Sequence, residues 1–350
     1  VNYHEAVCNL ASTLLNQDCS QFLWKYSFNT QLNLNIVANF FASNPSYSEL
    51  MMKMLCSAIY SMYANKVWDP RPSHINFIET KKYIIEYENG KDEITADELC
   101  TGIEKITSTF TDIFKLNSDI LVNIMNQLFS EKNDKHIMTY WLILADACNH
   151  FDKFEVNLAD LRDPSQDWNG LTGDVTVYQI KYTDPDKQSR FDHLNYFISE
   201  TGESNFGFHG SHIGNWFSIF GNGIRVGKSG NGMHYNASAY GTGVYLSDDA
   251  GFSLSYTACG HGAYSSHNFI IMGVFQVDPS LTKYKKTHNI YVVPEPDNLC
   301  LKYIIMASYT DITPNCKLIN EYFANISKRL YSDTSRIHAS AAIKRIELEY

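Results

Sequence analysis

The chain has 350 residues, of which 44% are hydrophobic and 19% charged. That is too long for one ordinary domain, comfortable for two, and too apolar for a disordered chain. With 28 Lys+Arg against 38 Asp+Glu the formal net charge is −10, which argues against sequence-independent nucleic-acid binding, because that needs basic side chains to neutralise phosphates.

Residues 1 to about 160 read as helical, with five or six helices and no convincing strand. From Ser48 to Val67, apolar residues recur at Leu50, Met51, Met54, Leu55, Ala58, Ile59, Met62 and Tyr63, one face of a 3.6-residue period. The run stops before Pro70-Arg71-Pro72, where proline removes a donor and ends a helix. Thr95 and Glu98 have capping-box spacing ahead of Leu99, Ile103, Ile106 and Phe110. Turn formers then cluster between Arg162 and Asp174, including Asp163-Pro164-Ser165, Asn169-Gly170 and Gly173.

Beyond that break the period changes to two. Val175–Tyr182 alternates apolar and polar residues, as a half-buried strand does. Phe206–His209, Gly243–Leu246, Phe269–Val277, Ile290–Val293 and Tyr303–Met306 are further strand candidates. The fold class expected is α+β: an N-terminal all-helical domain over 1–165, a mostly antiparallel two-sheet domain over 166–326, and a C-terminal helix or linker over 327–350. The chain opens at Val1, not Met, which leaves room for flanking targeting segments.

Eight cysteines form no C-x-x-C pair and no zinc-finger array, so no metal is expected, and free thiols fit an intracellular, reducing compartment, cytoplasmic or nuclear. The longest apolar runs, such as Phe269–Phe275, are too short to cross a bilayer. The 23 Tyr, 20 Phe and 5 Trp fit a core packed with rings better than a stacking cleft, on composition alone. Gly227-Lys228-Ser229 fails as a phosphate loop, because Asn222 stands where its first glycine is needed. No Gly-x-Gly-x-x-Gly follows a strand, which argues against a Rossmann site. Cys259-Gly260-His261 is too sparse for a metal site, and Lys283, Lys285 and Lys286 read as a solvated face.

The segment from Phe206 to Val226 is different. A strand ends at His209-Gly210-Ser211, and a helix follows with Ile213, Trp216, Phe217 and Phe220 on one face. His209 and Ser211 therefore sit at a strand end, where Gly210 allows close approach to the backbone. Gly241-Thr-Gly-Val-Tyr245 comes about 35 residues later, followed by Ser253 and Tyr256.

In order and spacing, His209-Gly210-Ser211, Gly241-Thr-Gly-Val-Tyr245, Ser253 and Tyr256 resemble the catalytic domain of the diphtheria-toxin-like ADP-ribosyltransferases, the PARP family. The resemblance covers roughly residues 170 to 310 and implies NAD⁺ as co-substrate. It assigns His209 to the 2′-hydroxyl of the adenosine ribose. Gly210, through its main chain, and Ser253, through its side chain, go to the nicotinamide carboxamide, with Ser211 beside them. Tyr245 and Tyr256 go to the two faces of the nicotinamide ring, and Arg225 to the adenine side. Residues 227–240 would line the donor cleft. Holding the ring flat and its amide fixed would favour breaking the nicotinamide–ribose bond.

The third family position falls on Ile290 of Ile290-Tyr-Val-Val293, where polymer-forming members carry Glu. An isoleucine accepts no hydrogen bond. The resemblance therefore implies transfer of a single ADP-ribose to a protein acceptor of unknown identity, with the chain itself and ubiquitin-pathway proteins among the candidates. An inactive NAD⁺-binding interaction module and an NAD⁺ glycohydrolase stay open beside it. Leu55–Tyr63 with Arg71-Pro72, and Val292–Tyr303, are most similar to the branch of the tail-anchored endoplasmic-reticulum mono-ADP-ribosyltransferase, whose helical domain precedes the catalytic one. Ala341–Tyr350 resembles the opening helix of ubiquitin-conjugating enzymes. That likeness raises a fusion, against the alternative of an ordinary amphipathic helix.

Overall fold

The computed structural model describes residues 45–61, 64–71, 75–78, 82–85, 100–101, 146–148, 150–151, 154–159, 171–186, 188–189, 191, 205–226, 239–257, 269–278 and 280–324. These residues form two units. Met62 and Tyr63 of the first helical stripe, the capping box at Thr95, the helical pattern between 102 and 145, the 227–238 loop and the tail from 325 lie outside the described residues.

The first unit holds the described residues as far as Phe151 together with Gly214–Gly223. Helix α1 (Pro45–Tyr60) buries Leu50, Met51, Met54, Leu55, Ala58 and Ile59, the stripe expected from the sequence. A short α2 (Ala64–Val67) follows. The expectation of an all-helical N-terminal region is corrected here. Strands β1 (Ile75–Ile78) and β2 (Lys82–Ile85) pair antiparallel, with Ile75 opposite Ile85 and Phe77 opposite Tyr83. The β-branched and aromatic residues at alternate positions, Ile75, Phe77, Tyr83 and Ile85, favour a pleated pair over a helix.

Helix α3 (Asn215–Asn222), which follows the His-Gly-Ser segment, belongs to this first unit. It buries Trp216, Phe217 and Phe220. The Phe220 ring stacks on Phe151 at 5.7 Å and 5°, and Phe217 lies 5.2 Å from the same ring. Asn222 Nδ2 donates to the Asp69 carbonyl at 2.8 Å, and Gly221 is needed because a side chain there would run into Pro70.

The second unit is built on a five-stranded antiparallel sheet in the order β3-β4-β10-β7-β5. Its strands are β3 (Phe154–Leu158), β4 (Val175–Tyr182), β5 (Phe206–Gly210), β7 (Phe269–Val277) and β10 (Leu299–Ser308). A second sheet, in the order β6-β9-β8, comprises β6 (Val244–Leu246), β8 (Lys285–Thr287) and β9 (Ile290–Val293). The alternating Phe-Glu-Val-Asn-Leu of β3 lies ahead of the turn-rich 162–174 segment, within the stretch expected to be helical. It is a strand because it pairs residue for residue with β4, from Phe154 opposite Tyr182 to Leu158 opposite Tyr178.

One face of the large sheet is buried by helices. Phe206, Phe208, Ile270, Met272, Val274, Ile305 and Ala307 stand on it at alternate positions. They share a core with Ala250 and Leu254 of α4 (Ala250–Leu254), Ile312 of α5 (Tyr309–Ile312), and Ile319 and Phe323 of the helical stretch 316–324. Phe323 meets Phe208 edge-on at 5.6 Å and Tyr303 at 5.1 Å. None of the described cysteines Cys56, Cys100, Cys148, Cys300 and Cys316 forms a disulfide.

The approach to β4 is pinned by one buried amide. Asn315 accepts from the Thr172 N–H at 3.1 Å and donates to the Thr172 and Asp311 carbonyls at 2.8 and 2.6 Å. Asn315→Ala leaves these backbone groups without that partner, and a loss of about 2 kcal/mol is expected in a urea unfolding titration.

Candidate active site

The site begins with the edge position of β5. Along β5 successive side chains point to opposite faces, so His209 and Gly210 meet different partners. His209 lies on the face of the small sheet and meets the edge of the Phe275 ring at 6.0 Å. Its Nδ1–H donates to the Tyr245 carbonyl of β6 at 2.9 Å. A carbonyl only accepts, so Nδ1 carries the proton and Nε2 carries the lone pair of the neutral ring.

Gly210 turns the other way, onto α4. A Cβ built there would collide with the Ser253 carbonyl, and the Thr257 methyl is 3.2 Å away. Glycine is needed at 210 because backbone occupies the side-chain position. The main chain of β5 also has an outer edge. Phe208 N–H and C=O bond outward to Ser247, at 2.7 and 2.9 Å. In an antiparallel strand outward-pointing backbone groups recur at every second residue, so the Gly210 N–H and C=O face the same way as those of Phe208.

Tyr245 is the middle residue of β6 and sits opposite Val292 of β9. Its phenol closes on its own loop. The hydroxyl donates to the Gly241 carbonyl at 2.9 Å and accepts from the Tyr240 N–H at 3.0 Å. Gly241 has φ +104°, the left-handed region open to glycine. Gly243 cannot carry a side chain, which would meet Val292 and the Val293 carbonyl. The Gly-Thr-Gly-Val-Tyr segment thus forms a tight loop whose geometry is held by the side chain at its end.

Helix α4 carries Ser253, with Tyr256 just beyond its end. Ser253 is buried, and its hydroxyl donates to the Phe208 carbonyl at 3.0 Å, tying the helix to β5. Tyr256 is 46% exposed, which leaves ring surface available for stacking, and lies 5.7 Å from Phe252. Ile290 is the half-buried first residue of β9. Extending the β6–β9 register sets it opposite Ser247, on the face shared by Tyr245 and Val292. Ser211 is half-buried immediately after β5, and Arg225 is exposed in the segment after α3. His209, Gly210, Tyr245 and Ser253 are thus brought together by direct contacts, and Tyr256 is one turn from Ser253.

The sequence reading did not single out Asp248, Asp249, Tyr291 or Asn320. The Tyr291 hydroxyl donates to Asp248 Oδ2 at 2.7 Å, and burial together with that carboxylate pushes its phenol pKa far up. Asp249 caps α4, accepting from the Gly251 N–H at 2.8 Å. An aspartate just ahead of a short apolar run is a readable capping signal. Asn320 lies about 70 residues away with no local pattern to mark it.

Residues 161–277 match the poly(ADP-ribose) polymerase catalytic domain. Every residue joined around β5, from His209 to Tyr256, falls inside that matched catalytic domain, whereas Ile290 and Asn320 lie after it. The chain is also similar to protein mono-ADP-ribosyltransferase PARP8 of Mus musculus and of Homo sapiens, 25% identical in each case over 241 residues. That alignment covers 68% of this chain and spans 25% of the length of those relatives. Among the described residues, no group of three or more His, Cys, Asp or Glu is arranged to hold a metal ion, and no helix is long and apolar enough to cross a membrane.

Burial pushes the His209 pKa below the usual histidine range, and the Nδ1–H bond to Tyr245 only partly offsets it. A histidine pKa lowered by folding means that the unfolded chain binds the proton more readily. Stability is therefore full above about pH 6.5 and falls as the pH drops from there toward the folded value. His209→Gln is expected to flatten this part of the stability–pH curve, measured by thermal melts from about pH 7.5 to 5. Gly210→Ala is expected to cost at least about 2 kcal/mol, because backbone must move, and the loss is read from the same melts.

Proposed function

We propose that the chain is an NAD⁺-dependent mono-ADP-ribosyltransferase. The observation that carries this reading is the joining of His209 to Tyr245, and of Gly210 to Ser253, around one strand end within residues that match a catalytic domain of this kind. The match supports NAD⁺ as substrate.

The residues suit that substrate. Nε2 of neutral His209 is an acceptor suited to a ribose hydroxyl. The outward N–H and C=O of Gly210 form a donor–acceptor pair of the kind a carboxamide needs. Tyr245, fixed by its loop, and Tyr256, with exposed ring surface, supply aromatic faces for a planar cation. On this reading the pyridinium is held by its amide and its faces while the bond from its nitrogen to ribose C1″ breaks. The electron pair leaves with nicotinamide, an acceptor side chain bonds to C1″, and the acceptor's proton passes to solvent. Restricting the bound ring and ribose is the main aid the chain would give.

Ile290 limits the reaction. An aliphatic side chain on the Tyr245 face of the small sheet neither polarises nor deprotonates a hydroxyl, so an ADP-ribose already attached would not be activated for extension. The same observation favours, as a second reading, an NAD⁺-binding interaction module without turnover. A protein acceptor belongs to the proposal as well, its identity unknown and the chain itself and ubiquitin-pathway proteins among the candidates, in an intracellular, reducing compartment. The likenesses to the tail-anchored branch and, over 341–350, to ubiquitin-conjugating enzymes stand on the same footing, and 341–350 lies outside the described residues.

Incubation of the full chain with adenylate-labelled NAD⁺ tests this. The expected result is one covalent ADP-ribose per acceptor site, lost by about 100-fold or more in His209→Ala and in Tyr245→Ala. Label growing into a ladder overturns the role given to Ile290. Binding without turnover selects the second reading, and free ADP-ribose without protein label would make the chain a glycohydrolase.

A further inference from the structure

We propose that Asn320 is a positioning residue for the nicotinamide half of the donor site, acting through α4. The inference rests on the donor-site reading above and extends it to a residue outside the matched 161–277.

Helix α4 has five residues, too few to hold its own geometry. What fixes it must come from outside, and at its N-terminus two side chains do so. Asp249 takes the Gly251 N–H. Asn320 takes the Ala250 N–H on its Oδ1 at 2.8 Å and donates its Nδ2 to Asp249 Oδ1 at 3.0 Å. One amide therefore satisfies a helix amide directly and also orients the carboxylate that satisfies the next. Only a side chain with both an acceptor and a donor can do this.

The placement of Asn320 follows from its helix. Cys316, Ile319, Asn320 and Phe323 fall at i, i+3, i+4 and i+7, one face of the 316–324 stretch. Ile319 and Phe323 join the core with Ala250, Leu254, Phe206 and Phe208, and Phe323 lies against Phe208 of β5. Cys316 comes close to Gly251, and burial, helped by Asp249, raises its thiol pKa. The apolar residues of this face set the depth of α4, and Asn320 sets its axial position and rotation. Ser253 and Tyr256 move with α4. His209 is anchored separately, through Tyr245. Displacing α4 should therefore disturb the nicotinamide half of the site and spare the adenosine half.

The test measures the two halves separately on the full chain, by calorimetry with nicotinamide and with ADP-ribose as probes. Asn320→Ala is expected to weaken nicotinamide about tenfold and to leave ADP-ribose within about twofold. Asn320→Asp keeps an acceptor for Ala250 but sets a second carboxylate against Asp249. Among the described residues, the titratable groups around it are Asp249 of α4 and Cys316 on its own helix, while Lys317 and Glu321 pair with each other at 4.0 Å. Relative to the unsubstituted chain at each pH, this variant is expected to bind nicotinamide poorly near pH 7.5. It should recover toward about pH 5, as a proton is shared between the two carboxyls. Equal loss of both probes, no loss of either, or no recovery on acidification overturns the proposal, and the pH comparison decides the matter if the alanine variant fails to fold. An unsubstituted chain that binds neither probe would instead remove the donor-site reading, and this inference with it.

Discussion

The arrangement depends on β5 being the outer strand of its sheet. An interior strand bonds on both edges and has no backbone to spare. β5 bonds β7 on one edge, and on the other, among the described residues, it makes one bridge, from Phe208 to Ser247. Two residues on, the same edge presents the main chain of Gly210. The strand's twofold alternation then gives its two faces to different supports, the Tyr245 carbonyl for His209 and the Ser253 carbonyl for Gly210. A one-residue slip of β5 would exchange these faces and break both contacts at once.

Three elements converge on this strand end, and each is short. β6 has three residues, α4 five and β5 five. Segments of this length hold their geometry only through contacts made elsewhere. The contacts here are of two kinds. Apolar packing from Phe208, Leu254, Ile319 and Phe323 sets distances between elements. Hydrogen bonds from Ser253, Tyr245, Asp249 and Asn320 set rotation and register. Packing tolerates small displacement, and directional bonds do not, so the second group governs how accurately the ring-bearing residues are held.

Most of the second unit could be read from its alternation. Val175–Tyr182, Phe269–Val277 and Ile290–Val293 are strands with the boundaries expected, the first from its alternation and the second from a continuous apolar run of the kind a sheet interior buries. β3 and β8 were not foreseen. The first was absorbed into a helical region, and the second, Lys-Lys-Thr, has no apolar residue to announce it and exists through pairing with β9. In the first unit the β1–β2 pair was missed because its two short runs sit between helical patterns. The glycines, His209 and the tyrosines of the site were visible because their spacing is local. Asn320 was not, since its contact depends on how a distant helix folds back.

Helix α3 shows what the order of the chain conceals. Its residues follow those of β5 closely in sequence, yet Phe217 packs on Phe151, and Phe220 on Phe151 and Tyr47. A shortened polypeptide beginning at the large sheet would keep β5, β6 and α4 but would strip Phe217 and Phe220 of these ring partners. Such a fragment would carry a greasy stripe a few residues along the chain from the strand it was meant to isolate, and would be prone to self-association for a reason unrelated to its chemistry.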